Sequence, residues 1–462
     1  MGNEKSSNLL TVITVSIAIF LTNMDISIVN IALPTLSKIY NVDTSEVSRV
    51  ILMYLLSMVS FLLVCGKLSD IKGSERIFKY GFAVFTISSL LCSLAPNLHF
   101  LNIFRFAQGI GGAMLLATFG AIVVKYLPAD KRGRAFGFII VFGGVGYALG
   151  APVGGLLIQY LSWRWIFLIN IPIGIGAMFL ANSVLNKKNP TTPLKNKFDI
   201  LGALLSFVGL ISFLYMLNSG KDAGWLSLKS VTLFFVSILC FILFIFQEKK
   251  FPSPIMDITV FRNKHLAFGL LTIIFAIMIL GGMNFLFPFF FDFVRKLSPG
   301  QTGLLLMIFP LTTTLVSPVS GYFSDKKSPK LICCLAMIFL TISCILFFFF
   351  NIERTYYFII FSFIIFGISV AMFSTSNTTL IMSHATAGNE GMLSASLSVF
   401  TKLGSAIGIS FFEIIYSLKF TNKADFIVQT NKIVDGFRNA ALFGVVVGIL
   451  GVLAAIISKE KR

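Results

Sequence analysis

Charged side chains inside long apolar segments are the residues of this chain that could do chemistry. Asp25 lies in the first such segment, Arg105 in the fourth and Glu413 in the thirteenth. A charge held at the depth of a lipid bilayer costs several kcal/mol, so it usually persists because it pairs, exchanges a proton or contacts a ligand. These three positions therefore come first in any search for function.

Asp25 and Arg105 are expected to form a pair. Asp25 lies eight residues from the outer end of its segment and Arg105 six residues into its own. At the rise of an α-helix, these depths are about 12 Å and about 9 Å from the same surface. Arginine keeps its charge, whereas a carboxylate beside it can gain and lose a proton. The pair is therefore either a proton carrier or a static structural ion pair.

Composition places the whole chain in a membrane. The 462 residues are 56% hydrophobic and 12% charged, with a mean hydropathy of +0.90, whereas soluble domains are about 25% charged. The first segment, 9–33, is too long for a signal-peptide core and is expected to remain as the first helix. The six cysteines lie in apolar segments and the three histidines are scattered, so neither a metal site nor a cofactor is expected. Most of the 51 phenylalanines are expected to face lipid.

Fourteen apolar segments are long enough to cross a bilayer. They are 9–33, 47–69, 77–95, 99–125, 135–160, 165–185, 199–218, 229–247, 266–292, 301–324, 330–350, 356–382, 391–417 and 438–457. An even number places both termini on one side. Of the lysines and arginines, 22 then lie in loops and tails on the side of the termini and 12 on the other. This asymmetry predicts cytoplasmic termini and explains the net charge of +18 without nucleic acid.

A repeated loop indicates two related halves. Gly66 and Asp70 follow the second segment, with Gly73 and Arg76 after them, and Gly321 and Asp325 recur after the tenth. Two six-helix bundles, at 1–190 and 263–462, with two additional helices at 191–262, would place these loops in equivalent positions. We interpret the loops as gates in which Asp70 bonds a neighbouring helix end. A plain helix cap is the alternative.

Several motifs together resemble the major facilitator superfamily, in particular its fourteen-helix drug:proton antiporter branch. Helix one carries Asp25-Ile-Ser-Ile-Val-Asn30, helix four Arg105-x-x-Gln108-Gly109, and the fifth loop Trp163-Arg-Trp165 through Asn170 to Gly174. Ser298-Pro-x-Gln301 and Lys402-Leu-Gly404 follow in the later part. The similarity covers nearly the whole chain in order. It implies an all-α polytopic membrane protein of the major facilitator fold.

The resemblance also implies roles for particular residues. Asp25 and Arg105 would couple transport to protons, and Glu413 would attract cationic cargo or else satisfy a nearby polar group. Asn30, Gln108 and Asp292 are further substrate-binding candidates, although Asp292 could simply be a solvated interfacial charge. Lys402 either extends its ammonium to the membrane surface or faces the cavity. An antiporter-type motif is similar to a stretch of helix five, whose residues are Gly146, Gly150, Pro152, Gly154 and Gly155.

Two departures from the family pattern bear on these roles. Pro152 follows Gly150 by two places where the antiporter motif has proline directly after glycine, so the kink can point differently. Ser74 and Glu75 replace basic residues of the gating loop. The glycines of helix five have a simpler explanation as a smooth face for close helix packing.

Taken together, the sequence predicts a proton-coupled exporter of lipophilic, cationic compounds. Protons, a small-molecule substrate and the bilayer are its expected partners, and it is expected to be a monomer in the inner (cytoplasmic) membrane. A transporter of one physiological metabolite or lipid is the first alternative. A membrane enzyme or receptor is more remote, because no catalytic cluster or soluble sensor domain is visible. No phosphate-binding loop of an ATPase appears either.

Overall fold

A computed structural model describes residues 2–185, 199–224, 226–251, 263–326, 328–384, 390–420 and 430–458. Within these ranges the chain is helical and has no strand. The long helices are α1 Gly2–Tyr40, α2 Thr44–Lys72, α3 Ser74–Ser93, α4 Leu98–Tyr126, α5 Ala129–Tyr160, α6 Trp165–Leu168 with Asn170–Leu185, α7 Ile200–Ala223, α8 Leu228–Lys250, α9 Lys264–Phe289, α10 Pro299–Leu306 with Ile308–Lys326, α11 Pro329–Phe348, α12 Tyr356–Met382, α13 Glu390–Ser417 and α14 Thr430–Ile457.

These fourteen helical segments confirm the predicted all-α polytopic fold. Thirteen of them are both long and apolar enough to cross a membrane, counted over the described residues. The remaining one, α3, has 20 residues, which gives a length of about 30 Å. It packs on α4 and α6, and its lower apolarity comes from the charged residues Glu75, Arg76 and Lys79 at its start.

Several helices are interrupted where proline or a change of helical pitch occurs. Pro34 lies inside α1, Pro152 inside α5 and Pro288 inside α9. After Pro288, α9 continues as a π-helical turn, Phe290–Val294, which carries Asp292. Such turns are rare and commonly occur where a helix must present a particular side chain. The interruption therefore sets the direction of Asp292.

Contacts divide the chain into two compact units. The first comprises Met1–Val29, Val50–Phe213 and Val231–Ile255. The second comprises Asn30–Arg49, Leu214–Ser230 and Met256–Arg462. The last part of α1, from Asn30, and the first part of α2, up to Arg49, thus belong to the second unit. These contact units do not test the predicted bundles 1–190 and 263–462 or the additional helices at 191–262, which stay a prediction.

Phenylalanines form much of the core of the second unit. Phe287 contacts the rings of Phe347 and Phe363 with centroids 4.9 Å apart in each pair. Phe290 lies 4.6 Å from Phe437 of α14, again between centroids. The expectation that most phenylalanines face lipid is therefore wrong for this unit. Rings that interlock edge to face hold α9 rigidly against α11, α12 and α14.

Candidate functional site

Asp25 and Arg105 form the expected ion pair in the first unit. Arg105 Nη1 donates to Asp25 Oδ2 at 2.6 Å, and both side chains are 0% exposed. Placing two opposite charges so close offsets their desolvation only where further hydrogen bonds complete the pair. The surroundings of the two groups therefore decide what the pair can do.

Two polar side chains, Gln108 and Asn170, complete the hydrogen bonding of Asp25. Its other oxygen, Oδ1, accepts from Gln108 Nε2 at 2.9 Å and from Asn170 Nδ2 at 3.2 Å. Gln108 also donates to Ser89 Oγ at 2.8 Å and accepts from Arg105 Nη1 at 2.6 Å. The carboxylate on α1 is thus bound to α4 and α6, and through Gln108 to α3. We call Asp25, Arg105, Gln108, Asn170 and Ser89 the carboxylate network.

Arg105 is held by contacts besides those to Asp25. Its Nε donates to the carbonyl oxygen of Val50 at 3.1 Å, and its guanidinium lies 4.3 Å from the Tyr54 ring centroid. Its Nη2 and the Tyr54 hydroxyl oxygen are buried without a hydrogen-bond partner among the described residues. These contacts would hold Arg105 in place if Asp25 lost its charge, although Nη2 would still lack an acceptor in the described part of the chain.

The glycines of α5 pack directly against the segment of α1 that carries Asp25. A Cβ atom at Gly146 would lie 2.6 Å from the Phe20 carbonyl oxygen, and one at Gly150 2.6 Å from Ser27 Cβ. Pro152, Gly154 and Gly155 continue α5 as buried residues. The close packing expected of small residues is present at Gly146 and Gly150. An antiport role of this motif stays a prediction.

Asp292 forms an ion pair with α1 in the second unit. Lys38 Nζ lies 2.7 Å from Asp292 Oδ1, and the two side chains are 48% and 21% exposed. The same ammonium lies 4.8 Å from the centroid of Phe293. A small pocket beside the pair is lined by α1, α9 and α10, including Pro34 and Thr302. Asp292 is therefore a paired group rather than a free interfacial charge.

Glu413 also contacts the predicted outer end of a helix from the first part of the chain. Its Oε1 accepts from Thr44 Oγ1 at 3.0 Å, and the residue is 4% exposed. This contact matches the structural alternative, in which Glu413 satisfies a nearby polar group. Asn30 is also buried, and its Oδ1 has no hydrogen-bond partner among the described residues. Glu413, Asp292 and Asn30 lie in the second unit and the carboxylate network in the first.

The residues of the predicted gating loops are placed at helix ends. Gly73 joins α2 to α3 with φ at 93°, a conformation that favours glycine. Asp70 and Arg76 are exposed, and Asp70 makes no hydrogen bond or ion pair with another described residue. Gly66 and Gly321 have open space beside them. The side chain of Asp325 lies outside the described residues.

Glu75, which the sequence marked only as a departure, makes the contacts expected of Asp70. Its carboxylate pairs with Lys125 and accepts from the Tyr126 hydroxyl at 3.2 Å. Tyr126 also donates to the Leu185 carbonyl oxygen at 2.8 Å. Glu75 therefore ties the start of α3 to the ends of α4 and α6. The signal in the sequence was the carboxylate itself. It stands in a loop where the family has basic residues, and it could have identified Glu75.

A helical membrane protein with buried charges and proline-interrupted helices has the features of a transporter. A family model described as Major Facilitator Superfamily matches residues 15–409, and the chain belongs to this family. It is a transporter of small molecules and not an enzyme. The multi-pass membrane location follows from the same match and from the apolar helices.

Relatives of the chain include resistance proteins and a riboflavin transporter. The chain is 30% identical to the riboflavin transporter RibZ of Clostridioides difficile (strain 630), covering 98% of both chains. It is 29% identical to the multidrug resistance protein Stp of Mycobacterium tuberculosis, covering 87% of this chain and 75% of the relative. It is 27% identical to the methylenomycin A resistance protein of Bacillus subtilis (strain 168), covering 91% and 90% respectively.

Solved transporters share the fold at low sequence identity. A crystal structure of a peptide transporter, POT, in complex with sulfate has a TM-score of 0.69 at 14% identity, covering 97% of this chain and 96% of that one. A bacterial homologue of the human lysosomal transporter Spinster has a TM-score of 0.67 at 12% identity. These likenesses concern the fold alone.

Proposed function

We propose that the protein is a proton-coupled secondary transporter that exports lipophilic small molecules by alternating access. The observation that carries this proposal is the buried pair of Asp25 and Arg105, whose members are each 0% exposed. A fixed cation beside a carboxylate that can be protonated is the arrangement from which a proton can be taken up and released.

Protonation of Asp25 would rearrange the carboxylate network. A neutral carboxyl group binds Arg105 less strongly, and its hydroxyl becomes a donor that faces the amide of Asn170 or Gln108. Because those amides belong to α4 and α6, the change would be transmitted from α1 to both helices. Close packing of α5 on α1 at Gly146 and Gly150 would transmit it further. Because one carboxylate is bonded to several helices, a change in its charge would move these helices together.

Contacts at the predicted outer end would have to break in each transport cycle. Lys38 binds Asp292 and Thr44 binds Glu413, so the ends of α1 and α2 are held by α9 and α13. Release of cargo to the outside needs these ends to separate. We therefore assign Asp292 and Glu413 to the closing of the outer end, with cation recognition by Glu413 as the finer proposal for the cargo.

Drug export is favoured by two relatives named as resistance proteins, Stp and the methylenomycin A protein. A second candidate function is transport of one physiological metabolite. It is favoured by the relative named as a riboflavin transporter, which matches this chain over 98% of both lengths. Growth of an efflux-deficient host on toxic compounds, beside export of riboflavin from the same cells, would separate the two candidates.

Location and topology are proposed on the charge asymmetry of the loops. We infer an inner (cytoplasmic) membrane location, cytoplasmic termini and a monomeric protein. Reporter fusions at residues 188 and 459 should give a cytoplasmic signal and a fusion at 423 an external one. A cytoplasmic signal at 423 would contradict the topology.

The decisive experiment for proton coupling replaces Asp25 by asparagine, which keeps the shape of the side chain and removes its titration. In inside-out vesicles, Asp25→Asn should abolish ethidium uptake driven by a pH gradient, while Asp435→Asn, at an exposed position of α14, should transport normally. Thermal unfolding of the purified variants would show that both are folded. Normal gradient-driven uptake by Asp25→Asn would overturn the proposal.

A further inference from the structure

Lys402 is a cation in the middle of a membrane span. This helix, α13, is Glu390–Ser417 and its apolar segment is 391–417, so Lys402 lies eleven residues from one end of the segment and fifteen from the other. These separations correspond to about 16 Å and about 22 Å along the helix. The predicted inner end is the nearer one.

No described residue neutralises Lys402. Its ammonium makes neither a hydrogen bond nor an ion pair anywhere in the described ranges, whereas Arg105, the other cation deep in a span, is paired with Asp25. An unpaired ammonium in a bilayer is expensive, and such groups usually mark the path of a ligand. A molecule bound by the protein would therefore supply the negative charge that pairs with Lys402.

The position of Lys402 on α13 directs it to the protein interior. Residues 402, 406, 409 and 413 share one face of the helix, because they follow its three- and four-residue spacing. Ala406 is 0% exposed, Ile409 2% and Glu413 4%, so this face is not the one that meets lipid. Lys402 alone on this face is half-buried. Its side chain is therefore partly accessible on a face of α13 that is otherwise covered by protein.

We propose that Lys402 binds an anionic group, most simply a carboxylate, on the transported compound. A lysine ammonium is a compact point charge that attracts carboxylates without demanding a fixed geometry, which suits varied cargo. The proposal rests on the transport function and specifies its substrate class. A compound with an acidic group, zwitterions included, would gain this contact, whereas a purely cationic compound would gain nothing from Lys402 and would rely on other contacts.

The structural alternative is that Lys402 extends its ammonium to the inner membrane surface. Helical side chains point towards the N-terminal end of their helix, which for α13 is the predicted inner end. Under this alternative the lysine would have no preference among cargoes. The two explanations therefore differ in whether Lys402 distinguishes an acid from its ester.

A matched pair of dyes tests the proposal. Rhodamine 19 is a free acid and rhodamine 6G is its ethyl ester, so the two differ in one carboxylate. Binding to the purified full-length protein is measured by fluorescence polarisation without any ion gradient. The wild type should bind the acid more tightly than the ester. Lys402→Gln should weaken binding of the acid about tenfold, which is the effect of losing about 1.4 kcal/mol, and leave the ester within twofold.

Two further variants define the role of the charge. Lys402→Arg should retain most of the preference for the acid, because it keeps the positive charge. Lys264→Gln, at an exposed position of α9, should behave as the wild type. Lys402→Gln should not lower the unfolding temperature, since it removes an unpaired charge from the bilayer.

Each other outcome would overturn the proposal. Equal binding of acid and ester by the wild type, or tighter binding of the ester, would exclude anion recognition at Lys402. If Lys402→Gln weakened binding of the acid and of the ester equally, Lys402 would act in folding or in the shape of the site. Because binding is measured without a gradient, failure of proton coupling in the Asp25 experiment leaves this result unaffected.

Discussion

Gly150 of α5 packs against Ser27 of α1, with no room for a side chain between them. A Cβ atom at Gly150 would lie 2.6 Å from Ser27 Cβ and 2.8 Å from the Met24 carbonyl oxygen. Met24 is the immediate neighbour of Asp25 in the chain. The glycine therefore sets how closely α5 approaches the helix that carries the buried carboxylate.

We expect Gly150→Ala to impair transport and stability together. The added methyl group must push α5 away from α1, and overpacking of this kind costs roughly 1–3 kcal/mol. Gradient-driven dye uptake and the unfolding temperature are the measurements. The control is Gly137→Ala on the same helix, where a Cβ atom would have open space. If both alanine variants had the same uptake and the same unfolding temperature, the close approach of α5 to α1 would not be needed for transport.

The carboxylate network was only partly predictable from the sequence. Asp25 and Arg105 could be paired because depth along a helix follows from residue counts. Gln108 was identified from its motif but assigned to cargo rather than to Asp25. Asn170 and Ser89 were missed as members, since the rotation of α6 and α3 about their axes depends on packing. The depth of a residue in the membrane follows from its own helix. A hydrogen bond between helices also depends on how each helix is rotated about its axis.

The ion pair of Lys38 and Asp292 could not be predicted from the sequence for a similar reason. Lys38 and Asp292 are 254 positions apart in the chain, and no local pattern indicates that they meet. Asp292 is directed by the π-helical turn after Pro288, which sequence periodicity does not reveal. The fourteen helices, by contrast, were predicted well because each needs only a sufficient run of apolar residues.

Asn170→Ala should slow gradient-driven transport. Asn170 donates to Asp25 Oδ1 at 3.2 Å, and this bond connects the carboxylate on α1 directly to α6. Without it a change at Asp25 is transmitted to α6 less directly, so the maximal rate of uptake should fall severalfold.

Dye uptake in proteoliposomes, driven by a pH gradient, measures this rate. Asn431→Ala, at an exposed position of α14, is the matched control and should leave the rate unchanged. An unchanged rate in Asn170→Ala, or a fall matched by an equal loss of folded protein, would mean that Asn170 has no part in coupling.

Lys38 and Asp292 should stabilise the closed outer end without much effect on overall stability. Both side chains are partly exposed, and exposed ion pairs contribute about 1 kcal/mol or less. Lys38→Ala and Asp292→Ala should each increase labelling of Thr35→Cys, beside the pocket, by an impermeant maleimide added outside. The charge-swapped double variant, Lys38→Asp with Asp292→Lys, should restore low labelling. Labelling that stayed high in the swapped protein would show that the charge pair itself does not hold this end.

Glu413 is the residue for which gating and cation recognition make different predictions. Glu413→Gln removes the charge but keeps an oxygen that can accept from the Thr44 hydroxyl, whereas Thr44→Val removes the hydroxyl and keeps the carboxylate. If Glu413 recognises cations, Glu413→Gln should reduce efflux of ethidium at least severalfold and spare neutral compounds, and Thr44→Val should retain cation efflux. If the contact serves mainly to close the outer end, Thr44→Val should impair all cargoes alike. Efflux of one cationic and one neutral dye from whole cells, compared across the two variants, distinguishes these roles, and unchanged efflux in both variants would contradict each of them.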